Sequence, residues 1–304
     1  MAISRHQLVK ELEPGLNALF GLEYNRYDNQ HAEIYTSENS DRAFEEEVML
    51  SGFGNASVKN EGSGVAFDNA QESFSARYTH ETMALAFAIT EEAIEDNLYD
   101  KISSRYTKAL ARSMSNAKQV KAVAPLNNGL PSVDGFASGD GVSLFNTSHT
   151  TVSGISVKNT LTTQADLNET SLEQAMIDIA AMTDERGLRI AAKAVKMIVP
   201  SANQFAAERL MKSQGRVGTA DNDINALGSM GMIPQGYRVN NFLTDTDSFY
   251  IITDVPNGMK MFTRAPLTTA MEGDFDTGNV RYKARERYSF GVSDYRGIFG
   301  VEGA

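Results

Sequence analysis

Histidine and acidic side chains are the groups in this chain that could act as metal ligands or general bases. The four histidines are His6, His31, His80 and His149, and neither an HExxH sequence nor a pair at helical spacing occurs among them. We therefore expect hydrogen-bonded or exposed imidazoles at these positions, rather than ligands or bases.

An acidic turn, DNDIN at 221–225, begins like a calcium-binding loop. Its sixth position is Ala226, where such loops need glycine, and its twelfth is Met232, where they need glutamate. A solvated acidic turn is the better interpretation. Phosphate-binding loops, dinucleotide fingerprints and the hydrolase elbow are also missing from the sequence. We predict no catalytic, cofactor-binding or metal-binding residue, and hence no enzyme.

Composition excludes further classes of protein. The chain has 304 residues, no cysteine and a formal charge of -11, so disulfides and cysteine metal sites are excluded. The acidic charge argues against a freely diffusing nucleic-acid-binding protein, although one local basic face is allowed. No apolar run approaches the roughly 20 residues that span a bilayer, and the first residues do not resemble a signal peptide. We therefore expect synthesis in a cytoplasm and no membrane partner.

Residues 1–44 are predicted to be an arm that lies on a surface. A helical turn begins near Ser4 and is expected to stop at Pro14 and Gly15, and a short amphipathic piece follows. Tyrosines in the rest of the arm suit half-buried contacts. The side chains expected to make the contacts of the arm are Leu16, Phe20, Tyr24, Tyr27 and Tyr35.

A long glycine-rich hairpin is predicted next. Residues 44–50 and 71–89 have strand patterns, and the segment between them has too many Gly, Asn and Ser residues for a regular element. Loops of this length are usually functional or bound by a partner. The residues expected to make contacts there are Gly52, Phe53, Gly54, Lys59, Glu61, Gly62, Gly64 and Phe67.

Residues 90–124 carry the clearest helical periodicity, and Pro125 is expected to end the helix. A helix of this length would span about 51 Å, close to the roughly 50 Å diameter of a compact chain of this size. The sequence therefore favours an elongated subunit, or a helix that breaks near Ser113 and Ser115. Three basic residues on it, Arg105, Lys108 and Arg112, form what we call the helix row.

The second half of the chain mixes helices and strands, which favours an α/β or α+β fold. A helix capped by Thr170 and stopped by Gly187, a strand at 194–200, a helix at 201–213 and a hairpin at 249–265 are expected.

A long strand from Val280 alternates apolar and basic residues. Its basic side, Arg281, Lys283, Arg285 and Arg287, is called the strand row below. Two interpretations stay open: these cations pair with carboxylates of neighbouring strands or subunits, or they face packaged nucleic acid. The same choice applies to the helix row, for which a plain solvated helix face is the simpler alternative.

The order of these segments resembles the tailed-phage major capsid proteins of the Hong Kong 97-like fold, in the branch similar to Mu-type major head subunits. The segments that carry the resemblance are GFGNASVKNEGSGVAFD, YTHETMALAFAITEEAIEDNLYDKISSRYTKALARSM, LFNTSHTTVSG, DERGLRIAAKAVKMIVPSANQFAAERLMKS, NDINAL and DFDTGNVRYKARERYSFGVSDYRGIFG.

The resemblance implies an α+β fold with four parts. They are an N-terminal arm (1–44), an extended loop (45–85), a peripheral domain with a spine helix (86–130 and 265–304), and an axial domain (131–264) that also includes a peripheral-domain helix near 171–187. It further implies self-assembly as hexamers and pentamers into an icosahedral shell around double-stranded DNA. The spine helix would lie toward the inside, with the helix row nearer the genome.

The partners implied by the resemblance are further copies of the chain, a scaffolding protein and a portal during assembly, packaged DNA held without sequence specificity, and in some particles a decoration protein. A separate scaffolding protein is expected because no scaffold-like helical segment precedes the arm; a cleaved N-terminal extension is the alternative that stays open. The protein would reside in the virion, after assembly in the host cytoplasm.

Some members of this family cross-link a loop lysine to a distant asparagine. Lys59 is the only lysine in the glycine-rich loop, but no partner asparagine or catalytic acid can be matched in this chain, so no cross-link is predicted. Another phage structural protein, from a tail or a decoration layer, is the alternative function, and a soluble acidic enzyme is a weaker one.

Overall fold

Two four-stranded sheets organise the chain in the computed structural model, which describes residues 5–90, 92, 99–133, 135–215, 224–274 and 278–304. The helices are α1 (Arg5–Tyr24), α2 (Tyr99–Asn128), α3 (Glu169–Ala181), α4 (Gln204–Lys212) and α5 (Ala226–Met230). The strands are β1 (Thr36–Asn39), β2 (Phe44–Leu50), β3 (Glu72–Thr79), β4 (Glu81–Ile89), β5 (His149–Thr150), β6 (Ser156–Val157), β7 (Ala194–Val199), β8 (Tyr237–Val239), β9 (Phe249–Thr253), β10 (Met259–Gly273), β11 (Val280–Val292) and β12 (Ile298–Val301).

The first sheet has the strand order β1-β10-β11-β4 and is built around the long strand β11. β11 pairs antiparallel with β10 on one side and with β4 on the other, while β1 is parallel to β10. The register of β10 and β11 shifts on both sides of Ala265, next to Pro266, which has no N–H to donate to the ladder.

Helices α1 and α2 cover one face of the first sheet. The predicted alternation of β11 is confirmed, because Val280, Tyr282 and Ala284 are buried while Arg281 and Lys283 are exposed. Side chains from both helices and from β11 form one apolar cluster: Leu16, Phe20, Leu110, Ala111, Met114, Tyr282 and Ala284. One face of the sheet is thereby buried inside the subunit.

The second sheet, β12-β9-β7-β8, lies in a larger core. The predicted strand at 194–200 and the predicted helix at 201–213 are confirmed by β7 and by α4, which follows a 3₁₀ turn at Ser201–Asn203. The predicted cap of α3 is wrong: Asn168 and Ser171 form a reciprocal capping box instead of Thr170. Gly187 does not stop α3, which ends at Ala181.

Two prolines that were expected to end helices do not do so. α1 continues through Pro14 and Gly15 to Tyr24, and α2 continues through Pro125 to Asn128. Leu126 is fully buried just after Pro125, so packing of the last turn outweighs the hydrogen bond that proline cannot donate. α2 also passes Ser113 and Ser115 without a break, and most of its predicted first turns, at 91 and 93–98, lie outside the described residues.

The single strand predicted at 71–89 is divided at His80. β3 pairs with β2, whereas β4 pairs with β11, so the chain changes sheets at this residue. His80 is buried at the change, where its ring nitrogens lie 3.0 Å from Ser289 Oγ and 2.9 Å from Ser40 Oγ. The predicted strand at 44–50 is confirmed by β2.

The hairpin predicted at 249–265 is wrong as well. β9 belongs to the second sheet and β10 to the first, so the turn at Asn257 connects the two sheets. Backbones cross closely there: a Cβ atom on Gly258 would lie 2.8 Å from Gly297 Cα, and only glycine fits such a crossing. The domain limits stay a prediction, although β1 joins the first sheet and β12 joins the second.

Candidate assembly surfaces

The extended hairpin, residues 44–79, consists of β2, a long loop and β3. At the base of the loop, Ser51 N donates to Gln71 O at 2.8 Å, and Gln71 N donates to Ser51 Oγ at 2.9 Å. Gly52 and Gly62 have positive φ angles of 63° and 80°, which L side chains rarely adopt. The loop is therefore closed at its base and turns at glycines.

The tip of the extended hairpin, which we define as residues 52–67, leaves large apolar side chains in solvent. Phe67 is 97% exposed and Val58 is 91% exposed. Among the predicted contact residues, Gly54 is half-buried, and the others are exposed: Gly52, Phe53, Lys59, Glu61, Gly62, Gly64 and Phe67. Apolar side chains this exposed on one loop are typical of a surface used for contact with another molecule.

The hairpin is fastened to the body of the subunit by polar contacts. Asp68 accepts hydrogen bonds from Gly54 N at 2.7 Å and from Arg186 Nη2 at 2.6 Å, and these contacts hold the pKa of its carboxyl below the ordinary value. Ser73 Oγ donates to Glu185 Oε2 at 3.0 Å. Glu185 in turn pairs with the buried Arg296 at 2.5 Å.

The predicted contact residues of the arm are mostly buried by their own chain. Leu16 and Phe20 belong to the apolar cluster beneath the first sheet. Tyr35 is buried and donates to Ala122 O at 2.6 Å. Tyr27 is more exposed and accepts a hydrogen bond from Arg112 Nε at 3.0 Å. The expectation that the arm contacts neighbouring subunits stays a prediction.

Tyr24, the remaining predicted contact residue of the arm, contacts a buried charged group. Its hydroxyl donates to Glu286 Oε2 at 3.4 Å, and Lys118 Nζ lies 3.2 Å from the same oxygen. Glu286 is only 2% exposed, and burial raises the pKa of its carboxyl although Lys118 opposes the shift. This cluster ties α1, α2 and β11 together.

The three histidines whose side chains the structure describes, His31, His80 and His149, are buried and hydrogen-bonded, which is one of the two states expected from the sequence. His149 is fully buried, with ring nitrogens 2.6 Å from Asp140 Oδ2 and 3.1 Å from Asn159 Oδ1. Burial lowers the pKa of His31 to about 4, helped by the charge of Lys118. The side chain of His6 and most of the acidic turn at 221–225 lie outside the described residues. No group of three or more potential metal ligands occurs among the residues that the structure describes.

The two basic rows lie on different elements. Arg105, Lys108 and Arg112 are exposed on α2. Arg281, Lys283 and Arg285 are exposed on β11, and Arg287 is half-buried. Arg281 Nη2 pairs with Asp274 at 2.5 Å, which agrees with the carboxylate pairing expected for this row, but Lys283 and Arg285 make no ion pair with any described residue.

A family model described as phage capsid protein matches residues 73–301. The chain belongs to this family. That membership makes it a phage capsid protein, a structural component of the virion. No curated protein sequence matches the chain. None of its described helices is long and apolar enough to cross a bilayer.

Solved capsid structures confirm the α+β, Hong Kong 97-like fold of the capsid protein. The virus-like particle from Pyrococcus furiosus aligns with a TM-score of 0.55 at 9% identity, over 95% of this chain and 98% of that one. The capsid of an empty GTA particle gives 0.54 at 15% identity, over 92% and 91%. The capsid of Myoviridae phage XM1 gives 0.53 at 12% identity, over 89% of both chains.

The sequence missed the role of Glu286. Glu286 interrupts the alternation of β11, because it is a charged residue at a position that should face inward. This interruption was the signal in the sequence that could have identified it. The buried ion pair of Arg296 with Glu185 left no comparable signal, because 111 positions separate the two residues in the sequence.

Proposed function

We propose that this capsid protein assembles as hexamers and pentamers into an icosahedral shell that encloses the double-stranded DNA of a tailed bacteriophage. The observation that carries the proposal is the exposed apolar tip of the extended hairpin, with Phe67 and Val58 almost wholly in solvent. Burying a side chain of this size is worth roughly 1.5–3 kcal/mol, so covering the tip against a neighbouring subunit favours assembly.

The hairpin also suits contacts that must differ between hexamers and pentamers. Gly52 and Gly62 allow backbone angles that other residues resist, while Asp68 and Ser73 hold the base of the hairpin to the body. A firm base with an adaptable tip lets identical subunits meet at different angles. The function of this protein is therefore physical rather than catalytic.

Packaged DNA and assembly factors complete the proposal. The exposed helix row supplies positive charge for contacts with DNA phosphates, which need no base recognition. A scaffolding protein and a portal act during assembly in the host cytoplasm, and a decoration protein joins the outer surface in some particles. Reversing the charge of Arg105, Lys108 and Arg112 should leave shells intact but lower the DNA they retain; unchanged packaging would contradict this assignment.

Electron microscopy of the purified chain, alone and co-expressed with its scaffolding gene, tests the proposal directly. We expect closed icosahedral shells, or rings of five and six subunits. Monomers or dimers in both samples would contradict the proposed function.

A deletion of residues 52–66, which removes all of the hairpin tip except Phe67, tests the role of this tip. The variant should remain a folded, soluble subunit, since the removed residues bury little apolar surface, but it should not form stable shells. Lys59→Ala is the matched control in the same loop, and it should assemble normally. Wild-type particles should give no ladder of multimers on denaturing electrophoresis, and a ladder would overturn the prediction that the subunits are not cross-linked. Equally robust particles from the deletion variant would refute the role of the tip.

A further inference from the structure

Both ring nitrogens of the fully buried His149 face oxygen atoms that need a hydrogen-bond donor. Nδ1 lies 2.6 Å from Asp140 Oδ2, and Nε2 lies 3.1 Å from Asn159 Oδ1. The orientation of the Asn159 amide is fixed, because its Nδ2 donates to Leu144 O at 2.7 Å and to Tyr295 O at 3.1 Å. A neutral imidazole has a single N–H, so it can satisfy only one of the two oxygens. The doubly protonated, positively charged ring satisfies both.

Asp140 is a carboxylate that needs a cation. Its side chain is only 9% exposed, and its Oδ1 accepts a hydrogen bond from Ser138 Oγ at 2.5 Å. Burial alone would raise the pKa of Asp140, but hydrogen bonds from His149 and Ser138 outweigh it and hold the pKa below the ordinary value. A negative charge with so little solvent contact is costly unless a positive group lies beside it.

The other cation of this region is already paired. The rings of His149 and Tyr295 stack with their centroids 3.9 Å apart, and the Arg296 guanidinium lies 4.5 Å from the centre of the same Tyr295 ring. Arg296 pairs with Glu185 at 2.5 Å and with Asp294 at 3.2 Å. Since two acidic side chains already share Arg296, the cation that balances the carboxylate beside His149 is the imidazole ring itself.

A short stretch of chain connects His149 to the site where the extended hairpin is fastened. His149 begins β5, and the turn after this strand reaches Glu185: Val152 N donates to Glu185 Oε2 at 3.1 Å, and Ser153 N donates to Glu185 O at 3.1 Å. The same Oε2 atom accepts the hydroxyl of Ser73, on the hairpin, at 3.0 Å. A fixed His149 therefore holds in place the donors that orient Glu185.

We propose that His149 is a buried imidazolium cation and a positioning residue for the hairpin, acting through β5 on Glu185. Its two N–H groups fix the start of β5, and the turn after β5 fixes the carboxylate that accepts Ser73. The importance of the hairpin for assembly rests on the proposed function. The charge of His149 and the contacts of Glu185 belong to one subunit, so experiments can refute them while shells still form.

Nitrogen NMR of protein labelled with ¹⁵N-histidine measures the charge of His149, in solution for subunits or with magic-angle spinning for shells. Near neutral pH, both ring nitrogens should give the shifts of protonated nitrogens, and loss of the signal in His149→Gln assigns it. His31 is the internal contrast, because its Nδ1 lies 3.0 Å from Gln119 Nε2 and should give the shift of an unprotonated nitrogen. An unprotonated ring nitrogen in His149 would overturn the inference.

Asp140→Asn tests the positioning role. An asparagine amide can donate to Nδ1, so the ring should become neutral with its proton on Nε2, and the Val152 amide should exchange about tenfold faster with solvent deuterium. The matched control, Ser138→Ala, removes a neutral hydrogen bond from the same carboxylate. It should keep the charged ring and change the exchange of Val152 by less than about twofold. Equal acceleration in both variants, or none in Asp140→Asn, would overturn the positioning role.

The wild-type protein gives the same test should Asp140→Asn fail to fold. As pH is raised, the protection of the Val152 amide should fall where the NMR spectrum shows that the His149 ring loses a proton. The Ser51 amide, which donates to Gln71 O at 2.8 Å, is the reference for the ordinary effect of pH on exchange. Protection of Val152 that follows Ser51 throughout the loss of the proton would count against the positioning role.

Discussion

The two sheets of this capsid protein differ in how much of their surface the subunit itself buries. Strands β7, β9 and β12 of the second sheet are almost continuously buried, as in a sheet covered on both faces. The first sheet buries one face beneath α1 and α2 and leaves much of the other to solvent, where the strand row lies. The second sheet therefore contributes only to the stability of its own subunit. The first sheet contributes to stability through one face and leaves much of the other face exposed for contacts with other molecules.

Two phenylalanine truncations separate these roles most strongly. Phe299 in β12 is fully buried, so Phe299→Ala should lower the free energy of unfolding by about 3–5 kcal/mol. Phe67→Ala, on the hairpin, should leave that free energy unchanged within about 0.5 kcal/mol and reduce shell formation instead. Urea unfolding of the subunit and electron microscopy of the particles measure the two effects. Similar losses of stability in both variants would break the distinction.

The buried ion pair under the first sheet gives the next largest effect. Lys118→Met leaves the buried Glu286 without its cation, and we expect a loss of about 2–3 kcal/mol, moderated because Lys118 keeps some solvent contact. Adding Glu286→Gln should recover most of the loss, since a neutral amide needs no counter-charge. Urea unfolding of the single and double variants measures this coupling. Additive losses would show that the two groups act independently.

The crossing between the two sheets should tolerate no side chain. A Cβ atom on Gly297 would lie 2.3 Å from Gly258 Cα, so Gly297→Ala forces the backbones apart and should cost about 1–3 kcal/mol. Gly273→Ala, where nothing lies near the added Cβ and φ is not positive, is the matched control. Thermal unfolding measures the loss of stability in both variants. Equal losses would mean that the close crossing of the backbones is not the cause of the loss at Gly297.

His31 should give the smallest effect, a pH dependence of stability. Its Nδ1 lies 3.0 Å from Gln119 Nε2, and since Gln119 Oε1 accepts from His31 N, the amide presents its donor to a neutral ring. The pKa falls from 6.5 to about 4 in the folded state, so the unfolded chain binds more protons between these values. Stability should therefore decrease as pH falls from about 6.5 to about 4, by roughly 1 kcal/mol after screening.

His31→Asn is the variant that checks this prediction. Its unfolding free energy should depend less on pH across that window, because the group that titrates has been removed. Urea unfolding at several pH values between 4 and 7 measures the slope. A slope identical to that of the wild type would assign the dependence to other groups.

Strong, local patterns carried the correct predictions. The alternation of β11, the strand at 44–50 and the glycine-rich loop were all visible in the sequence, because period-two burial and glycine turns are properties of neighbouring residues. Local signals failed where distant packing outweighed them, as at Pro125, where the buried Leu126 keeps the last turn helical. They failed again at 71–89 and 249–265, because neighbouring strands joined different sheets.

The sequence by itself determined the class of this protein: the order of its segments indicated a phage capsid subunit, and its exposed loop and two basic rows were visible as residue types. Only the tertiary structure decided which of these residues share a surface. It placed Leu16 and Phe20 in the subunit's own core, joined Tyr24 and Lys118 at Glu286, and set the two basic rows on opposite surfaces. The physical reason is that burial and ion pairing depend on contacts between residues up to hundreds of positions apart, which no local pattern encodes.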